Sequence, residues 1–593
     1  MLIVLLFAGG ATAWPFLFDG FNPAARNACL SFGVFGPVGL LLLCIVVAAI
    51  SWIPPLVAPL QRFLVRLRAA SDRRRSVCSL LAAFISTGFL YLAAGAQHRQ
   101  FVPLVQDEFS YLIQARQLAG GHLWMPAHPL GAFFDSFQLL VEPVYASAYF
   151  PGTALLHVPG IWLHLPPWVT SLAIAGAVVG LLFWSTAELL DGLWAWVAVL
   201  LVLGDSMYRQ LSIMTMAQLP LLLDVLLATV LWLRWRRSGR IASAVWIGVC
   251  LGMAAITRPV DALTFAVPIG AAIAFSTVPR ATRARAVLAI LAGMIPFLVL
   301  QLVLDRGITG KWLHTPFDLY AERDYPGTTY GFHTFDPNAR PVSQLPQKQW
   351  VYERYELMRR EHRPANILRE LWHFRLRVAF TQQSPVPYPL LFLLCPLALA
   401  GLNRLRMVML ATFPVYLLLS APYVFFMPHY VTTVMPAIIL AMLTGAKAVV
   451  KLASQASQPA RARVLGRFAM VGLVLFIAGE AIAAFPPWTN AQDYWHPADL
   501  MVDANQQLAS LPHRPAVVLF TFDPYRHLDE EPVYNADVAW PDDAEVIRAH
   551  DLGAKNAEIF RYYAEHQPNR FFYRFDEATG KVQPLGLASE LGK

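Results

Sequence analysis

Long uninterrupted apolar runs constrain this chain more than any other feature. A run of about 20 apolar residues crosses the ~30 Å hydrocarbon core of a bilayer as a helix, with every backbone polar group satisfied inside its own segment. Such runs recur near 2–18, 36–59, 78–96, 169–189, 193–207, 217–233, 242–257, 261–278, 286–304, 387–402, 407–426, 430–450 and 468–485. Those at 193–207 and 242–257 are shorter than a straight span requires, so their ends are soft. Composition agrees: 57% of residues are hydrophobic and only 14% charged, with a mean hydropathy of +0.48, far from a soluble chain. The pattern predicts a membrane all-α polytopic bundle of about 13 transmembrane helices.

The net charge of +8 is unevenly placed. Basic clusters fall at Arg62, Arg66, Arg68 and Arg73 to Arg75, at Arg234, Arg236, Arg237 and Arg240, and at Arg280, Arg283 and Arg285. Others are Arg404 with Arg406, and Lys451, Arg461, Arg463 and Arg467. Alternating spans put every cluster on one side, which the positive-inside rule makes cytoplasmic. The basic charge therefore reports topology, and no nucleic-acid partner is needed to explain it. The N-terminus is then inside and the C-terminus outside. Three large segments, 98–168, 306–386 and 486–593, face outward, so any chemistry belongs to the outer face. Ala11-Thr12-Ala13 resembles a cleavage site, but no basic stretch precedes the first run, which favours an uncleaved span. Of five cysteines, Cys44, Cys78, Cys250 and Cys395 lie in or beside spans and Cys29 is left alone, so no disulfide framework is expected.

The outer segments differ in texture. The first holds Asp107-Glu108 at the start of an amphipathic stretch, with Phe109, Leu112, Ile113 and Leu118 at helical spacing. That predicts a surface helix facing the membrane, where a lipid-borne substrate reaches the acids; alternatively, the acids only complement a helix N-terminus. Tyr149-Phe150-Pro151-Gly152 reads as a turn back to the membrane. The second segment is rich in Gly and aromatics and reads as a covering loop, with a helix expected around 347–375. The tail predicts a small extracytoplasmic α/β domain, with strands at Ala516–Phe520 and Arg570–Phe575 and a helix at Ala557–Glu565. Domain organisation follows: 1–77 as additional N-terminal spans, 78–485 as a core carrying the two outer loops, and 486–593 as the tail domain.

Asp107 is the leading general base, with Glu108 as its neighbour, because transfer onto a hydroxyl needs a carboxylate to take the proton. A phosphate leaving group needs a cation or metal ion to hold it. Arg258, in the outer bend Thr257-Arg258-Pro259, is one candidate, although it also stands three residues from Asp261. His429 and Tyr430 open a span on the same side, and Lys311 and His314 begin the second loop. Asp205 either joins Asp107 around a divalent cation or pairs with Arg209. P-loop, CxxC, HExxH and GxSxG patterns are missing from the sequence. Few charges interrupt the spans, Asp224 and Glu480 being exceptions. With little room for a nucleotide-sugar domain inside, a sugar donor must arrive on a lipid.

These residues resemble the GT-C membrane glycosyltransferases, close to the family of protein O-mannosyltransferases and lipid A aminoarabinose transferases. The resemblance rests on Asp107-Glu108 followed by Ser110-Tyr111 and Ala115, on the Tyr149 to Gly152 return, and on Gly252 with Thr257-Arg258-Pro259. It continues through Thr309-Gly310-Lys311 with Thr315-Pro316-Phe317, and His429-Tyr430 before Pro436, covering most of 78–450. It implies a GT-C-like core in a cell membrane such as the bacterial inner membrane, a polyprenyl-phosphate sugar as donor, and Asp107 as base. The acceptor hydroxyl belongs to a lipid, glycan or protein, and dependence on a divalent metal such as Mg or Mn stays open. Two spans precede the acidic loop's own span, so 1–77 reads as an addition to the family pattern. The alternative is a transporter or flippase of lipid-linked saccharides, and a third reading is a non-catalytic scaffold.

Overall fold

The computed structural model describes residues 54–376, 378–379, 394–455, 499–523 and 531–593, with a few positions between 464 and 472. The expected spans at 2–18 and most of 36–59 and 468–485 lie outside the described residues, as do 387–393, Cys29 and Cys44. Helix α1 (Pro54–Arg73) carries the first basic cluster as helix, where the sequence suggested that the apolar run simply ends at 59. Then follow α2 (Arg75–Ala96), α3 (Gln106–Ala119), α4 (Gly152–Trp162), α5 (Pro167–Leu189), α6 (Gly192–Gly204) and α7 (Ser206–Leu211). Next come α8 (Gln218–Ser238), α9 (Ile241–Ala255), α10 (Pro259–Ala274) and α11 (Arg280–Thr309). Short helices α12 (Pro316–Asp324), α13 (Pro346–Arg354) and α14 (Glu356–Glu361) belong to the second loop, so the long helix expected over 347–375 is broken. The run 407–426 is likewise divided, into α15 (Arg404–Leu410) and α16 (Thr412–Ser420), before α17 (Met435–Ala453).

Five described segments are long and apolar enough to cross a membrane: α2, α5, α8, α11, and α17 with the 3₁₀ turn that precedes it. Helices α6, α9 and α10 are apolar but shorter. Helix α11 turns Leu288, Leu291, Ile295, Leu298 and Val299 outward, a surface that only a lipid environment suits. Helix α8 is buried on most sides, and its Leu221, Leu222, Val225 and Leu226 are fully enclosed. Helices α9 and α11 meet through small residues. A Cβ on Gly248 would stand 2.0 Å from the Ile290 carbonyl oxygen, and one on Gly293 would stand 2.3 Å from that of Val245. Such small contacts let helix backbones approach where no hydrophobic driving force operates.

The basic clusters gather at one end of this bundle. Glu188 pairs with Arg75 and Arg237, while Asp191 takes Lys447 at 2.7 Å and Arg68 at 3.3 Å. Arg406 donates to the Leu189 carbonyl at 3.0 Å. The opposite end carries α3, α4, the second loop and the C-terminal residues. Helix α3 is not the lipid-facing surface helix expected from its pattern. Glu108 to Ala115 are all buried, because the helix lies between the bundle and a domain that covers it.

That region carries both helices and strands. Helix α18 (Asp499–Ala509) precedes a four-stranded sheet in the order β5-β4-β6-β7, where β4 is Ala516–Phe520, β5 Val546–His550, β6 Phe571–Asp576 and β7 Lys581–Leu587. Three short strands in the first loop, β1 (Met125–Pro126), β2 (Leu139–Leu140) and β3 (Val144–Ser147), form a separate sheet. Strand β4 pairs parallel with both β5 and β6, and all five of its residues are buried, as a central parallel strand requires. Helix α19 (Asn556–His566) connects β5 to β6. Strand β5 escaped the sequence reading because Arg548 and His550 interrupt its apolar pattern.

The domain shares its core with the first loop. Phe109, Ile113, Leu130 and Phe133 pack with Met501, Val517, Leu519, Tyr534 and Ile547 in one cluster. Polar ties reinforce this joint: His128 meets Asp542 at 3.2 Å, and His550 meets the Asp135 carbonyl at 2.7 Å. The second loop is fastened through Lys348, fully buried between Asp135 at 2.7 Å and Asp324 at 2.5 Å. Burial alone would lower the Lys348 pKa, but the two carboxylates more than offset it and hold the ammonium charged. Lys348→Met leaves two carboxylates facing each other without their cation. We expect a loss of about 3–5 kcal/mol, read as a drop in thermal midpoint of the detergent-solubilised protein, with Lys348→Arg closer to wild type.

Candidate active site

Helix α3 is capped at Val105, and its first turn carries both acids to different surroundings. Glu108 turns back on the helix start. Its Oε2 accepts from the backbone N–H of Leu104 at 2.9 Å and of Val105 at 3.4 Å. Its Oε1 accepts from the N–H of Thr215 at 2.8 Å, tying α3 to the chain that follows α7. Glu108 is buried and grips backbone from two segments, an arrangement that positions α3. Asp205 behaves in the same way: its carboxylate caps α7 by accepting from Tyr208 N–H at 2.8 Å. Its expected partner Arg209 donates to the Leu203 carbonyl at 2.8 Å and contributes charge to Asp205's surroundings.

Asp107 faces elsewhere and is half-buried. The Tyr149 hydroxyl donates to its Oδ1 at 2.7 Å. The Tyr149 ring stacks on Tyr111 at 4.4 Å and meets Phe317 of α12 at 6.1 Å. Burial, followed by the Asp107 charge, pushes the Tyr149 phenol well above its ordinary value, so it stays a proton donor in this bond. Helix α3 also holds the strand leading to Tyr149. Ser110 bonds Ser147 at 2.7 Å, and the Gln114 amide donates to the Tyr149 carbonyl at 3.0 Å. Asp107, Ser110, Tyr111 and Gln114 share one helix face by their three- and four-residue spacing, which is the sequence signal for this set.

The return from Tyr149 lands on the bend carrying Arg258. Gly152 N–H donates to the Ile256 carbonyl at 2.7 Å. A Cβ on Gly152 would stand 2.0 Å from Thr257 Oγ1, so only glycine permits this approach. Arg258 is the residue preceding α10, and its Nε donates to Asp261. Its guanidinium lies over the Tyr430 ring at 4.7 Å, and His429 meets that ring edge-on at 4.7 Å. Burial acts to lower the Arg258 pKa, but Asp261, Tyr430 and Tyr111 more than offset it, so the guanidinium remains charged. Tyr111 feels the charges of both Asp107 and Arg258, so the acid and the arginine lie within electrostatic reach of one tyrosine. Asp107, Tyr149, Arg258, His429 and Tyr430 all keep partial exposure, whereas Glu108, Tyr111 and Asp261 behind them are buried.

Comparison with known proteins gives one kind of match. No protein-family model matches the chain, and no curated protein matches it significantly. Among solved structures it is similar to ArnT from Cupriavidus metallidurans. The undecaprenyl phosphate-bound form matches over 84% of this chain and 92% of that chain, at 13% identity and a TM-score of 0.42. The apo form matches over 83% and 92%, at 14% identity and a TM-score of 0.40. At such distances the likeness assigns no activity, and function has to be argued from this chain's own residues.

The remaining candidates lie on the turn between α11 and α12. His314 is engaged with Glu322 at 3.1 Å, and Lys311 is exposed just beyond α11. From their loop it is Phe317 that stacks toward Tyr149. Among the described residues no group of three or more His, Cys, Asp or Glu side chains stands close enough to hold a metal ion. Sequence reasoning missed Arg375. It is buried and donates to the carbonyls of Ser420 at 2.6 Å, Ala421 at 3.2 Å and Tyr423 at 2.7 Å. It thereby fixes the turn that delivers His429 and Tyr430.

The environment of Glu108 has a measurable consequence. Burial raises its pKa to about 7, against the opposing pull of three backbone N–H groups. Its folded pKa therefore exceeds the unfolded value, so the folded state binds the extra proton between about pH 4.5 and 7. Stability contributed by this group is complete below that window and is lost as pH rises through it. Asp205, also pushed up to about 7 by burial, adds the same sign. Glu108→Gln should flatten the fall in thermal midpoint across this window, and Glu108→Gln with Asp205→Asn should flatten it further.

Proposed function

We propose that this protein is an integral membrane glycosyltransferase that moves a sugar from a polyprenyl-phosphate donor to an acceptor hydroxyl on the outer face of the membrane. The observation that supports this reading is a half-buried carboxylate, Asp107, bonded to Tyr149 at 2.7 Å, with Tyr149 stacked on Tyr111, a tyrosine that also feels the charge of Arg258. They lie at the end of the bundle opposite the basic clusters. A base and an anion stabiliser gathered near the same tyrosines suit a displacement at a carbon between an attacking and a leaving oxygen.

In the proposed reaction the acceptor O–H gives its proton to the Asp107 carboxylate while its oxygen attacks the anomeric carbon. The bond from that carbon to the phosphate oxygen breaks, and the electron pair leaves on the lipid phosphate. Attack opposite the leaving group inverts the anomeric configuration. Tyr149 orients Asp107 by its hydrogen bond. Arg258, held along one edge by Asp261, turns its terminal nitrogens to the phosphate, with Tyr430 and His429 beside it. Lys311 and His314, on the loop that carries Phe317, complete the cationic surroundings as the donor binds. Glu108 supports Asp107 by fixing the start of α3.

Substitutions at three positions test this assignment on purified protein supplied with a polyprenyl-phosphate sugar. Asp107→Asn should cut the transfer rate by about 10²–10⁴-fold while donor binding persists. Transfer that survives undiminished removes Asp107 as the base. Tyr149→Phe takes a hydrogen bond from the ionised carboxylate, so the acidic limb of the rate profile should move to higher pH. Arg258→Ala should weaken donor binding by about 10–100-fold, with Arg258→Lys recovering only part because the planar fork is lost.

A further inference from the structure

A groove of about 490 Å³ opens where the end of α3, the turn between α4 and α5, and the C-terminal domain meet. Its walls include Arg116, Trp162, His164, Asp537 and Asp543. Three elements lead to it from the reaction centre. Helix α3 begins beside Asp107 and reaches Arg116 nine residues later, about 14 Å along the helix. Helix α4 begins against Thr257 and ends at Trp162, whose indole N–H donates to the Ala119 carbonyl at 3.1 Å. The chain from Tyr534 to Ala539 starts with Tyr534 stacked on Phe109 at 4.3 Å. It ends with the Ala539 carbonyl accepting from the Gln117 amide at 3.3 Å. Five extended residues reach at most about 17 Å and eight helical residues rise about 12 Å, so the two run side by side over this stretch.

The chemistry of the groove narrows its ligand. The hydrogen bond to Ala119 fixes one edge of the Trp162 ring, and the side chain remains 64% exposed as a flat apolar surface. Around it stand a guanidinium, an imidazole and two carboxylates. A phosphate group would meet both carboxylates, and a hydrocarbon chain would take four polar groups out of water without partners. A sugar ring satisfies all of them: its C–H face lies on the indole, its hydroxyls donate to Asp537 and Asp543, and its oxygens accept from Arg116. We propose that this groove is a saccharide-binding subsite, holding non-reacting sugars of the acceptor while its reacting hydroxyl lies at Asp107. The proposal rests on the reading of Asp107 as the base. Trp162, Leu163 and Leu165 are exposed just before the span α5, so the saccharide arrives either free or on a lipid.

The test is saccharide binding by the full-length protein in lipid nanodiscs, read by saturation-transfer NMR. The probes are neutral trisaccharides of glucose, mannose, galactose and N-acetylglucosamine, each offered free and as its alkyl glycoside. At least one should bind, Trp162→Ala should weaken it by about tenfold, and Trp162→Phe should restore most of the loss. Asp537→Asn should weaken it less. Tighter binding of the alkyl glycoside supports the subsite with a lipid-borne ligand, and equal binding supports it with a free one. Asp107→Asn should leave this binding in place, so the two readings fail separately. If Asp107→Asn transfers sugar undiminished while Trp162→Ala still loses the trisaccharide, the base assignment falls and the groove stands. Absence of binding across the panel, or binding indifferent to Trp162→Ala and Asp537→Asn, overturns the proposal.

Discussion

The candidate centre depends on one backbone contact, Gly152 N–H to the Ile256 carbonyl at 2.7 Å. It closes a return that begins at Tyr149, so the residue holding Asp107 and the bend holding Arg258 move as one body. A side chain at 152 would collide with Thr257 and push the two arms apart. The remaining fasteners act on this joint from either side. Glu108 and Ser110 lock α3 to its neighbours, and Arg375 sets the turn that brings Tyr430 under Arg258. An interaction worth little in isolation thus becomes decisive through what it aligns.

A second constraint lies outside the bundle. The C-terminal domain has its own sheet, yet one face of that sheet is completed by Phe109, Ile113, Leu130 and Phe133 from the first loop. Neither part buries its apolar face alone. The buried Lys348, shared between Asp135 and Asp324, then ties the second loop to the same joint. Three segments far apart in sequence are in this way held over the end of the bundle where Asp107 lies, and their mutual arrangement defines the approach to it.

How much of this is legible in the chain depends on the range of the interaction. Apolar runs are local, and 169–189 and 217–233 appear as α5 and α8 with ends shifted by a few residues. The tail strand Ala516–Phe520 and the helix at 557–565 read correctly for the same reason. Strand β5 is hidden because its pairing with β4 is non-local and its own pattern carries Arg548 and His550. The amphipathic pattern of α3 suggests one wet face, and the domain that dries that face lies some four hundred residues away. In the site, Asp107, Tyr149, Arg258 and Tyr430 are all legible as motif residues, but their meeting is not. Arg375 left no signal, since an arginine in a charged amphipathic stretch reads as solvated until its three carbonyl partners are seen.

Burial sorts the carboxylates near the centre by role. Glu108 and Asp205 are buried against backbone N–H groups, and Asp261 is buried against Arg258. Each is fixed in place by bonds whose loss would cost more than any chemistry it offers. A proton acceptor in a turnover cycle has to be reachable and must change charge without dismantling its surroundings. Asp107 meets that demand: it is half-buried, it receives the Tyr149 hydroxyl hydrogen bond, and its charge reaches Tyr111 together with that of Arg258. The adjacent acids of the motif therefore differ in setting: Glu108 holds the helix start still, and Asp107 stays accessible, as the proposed reaction requires.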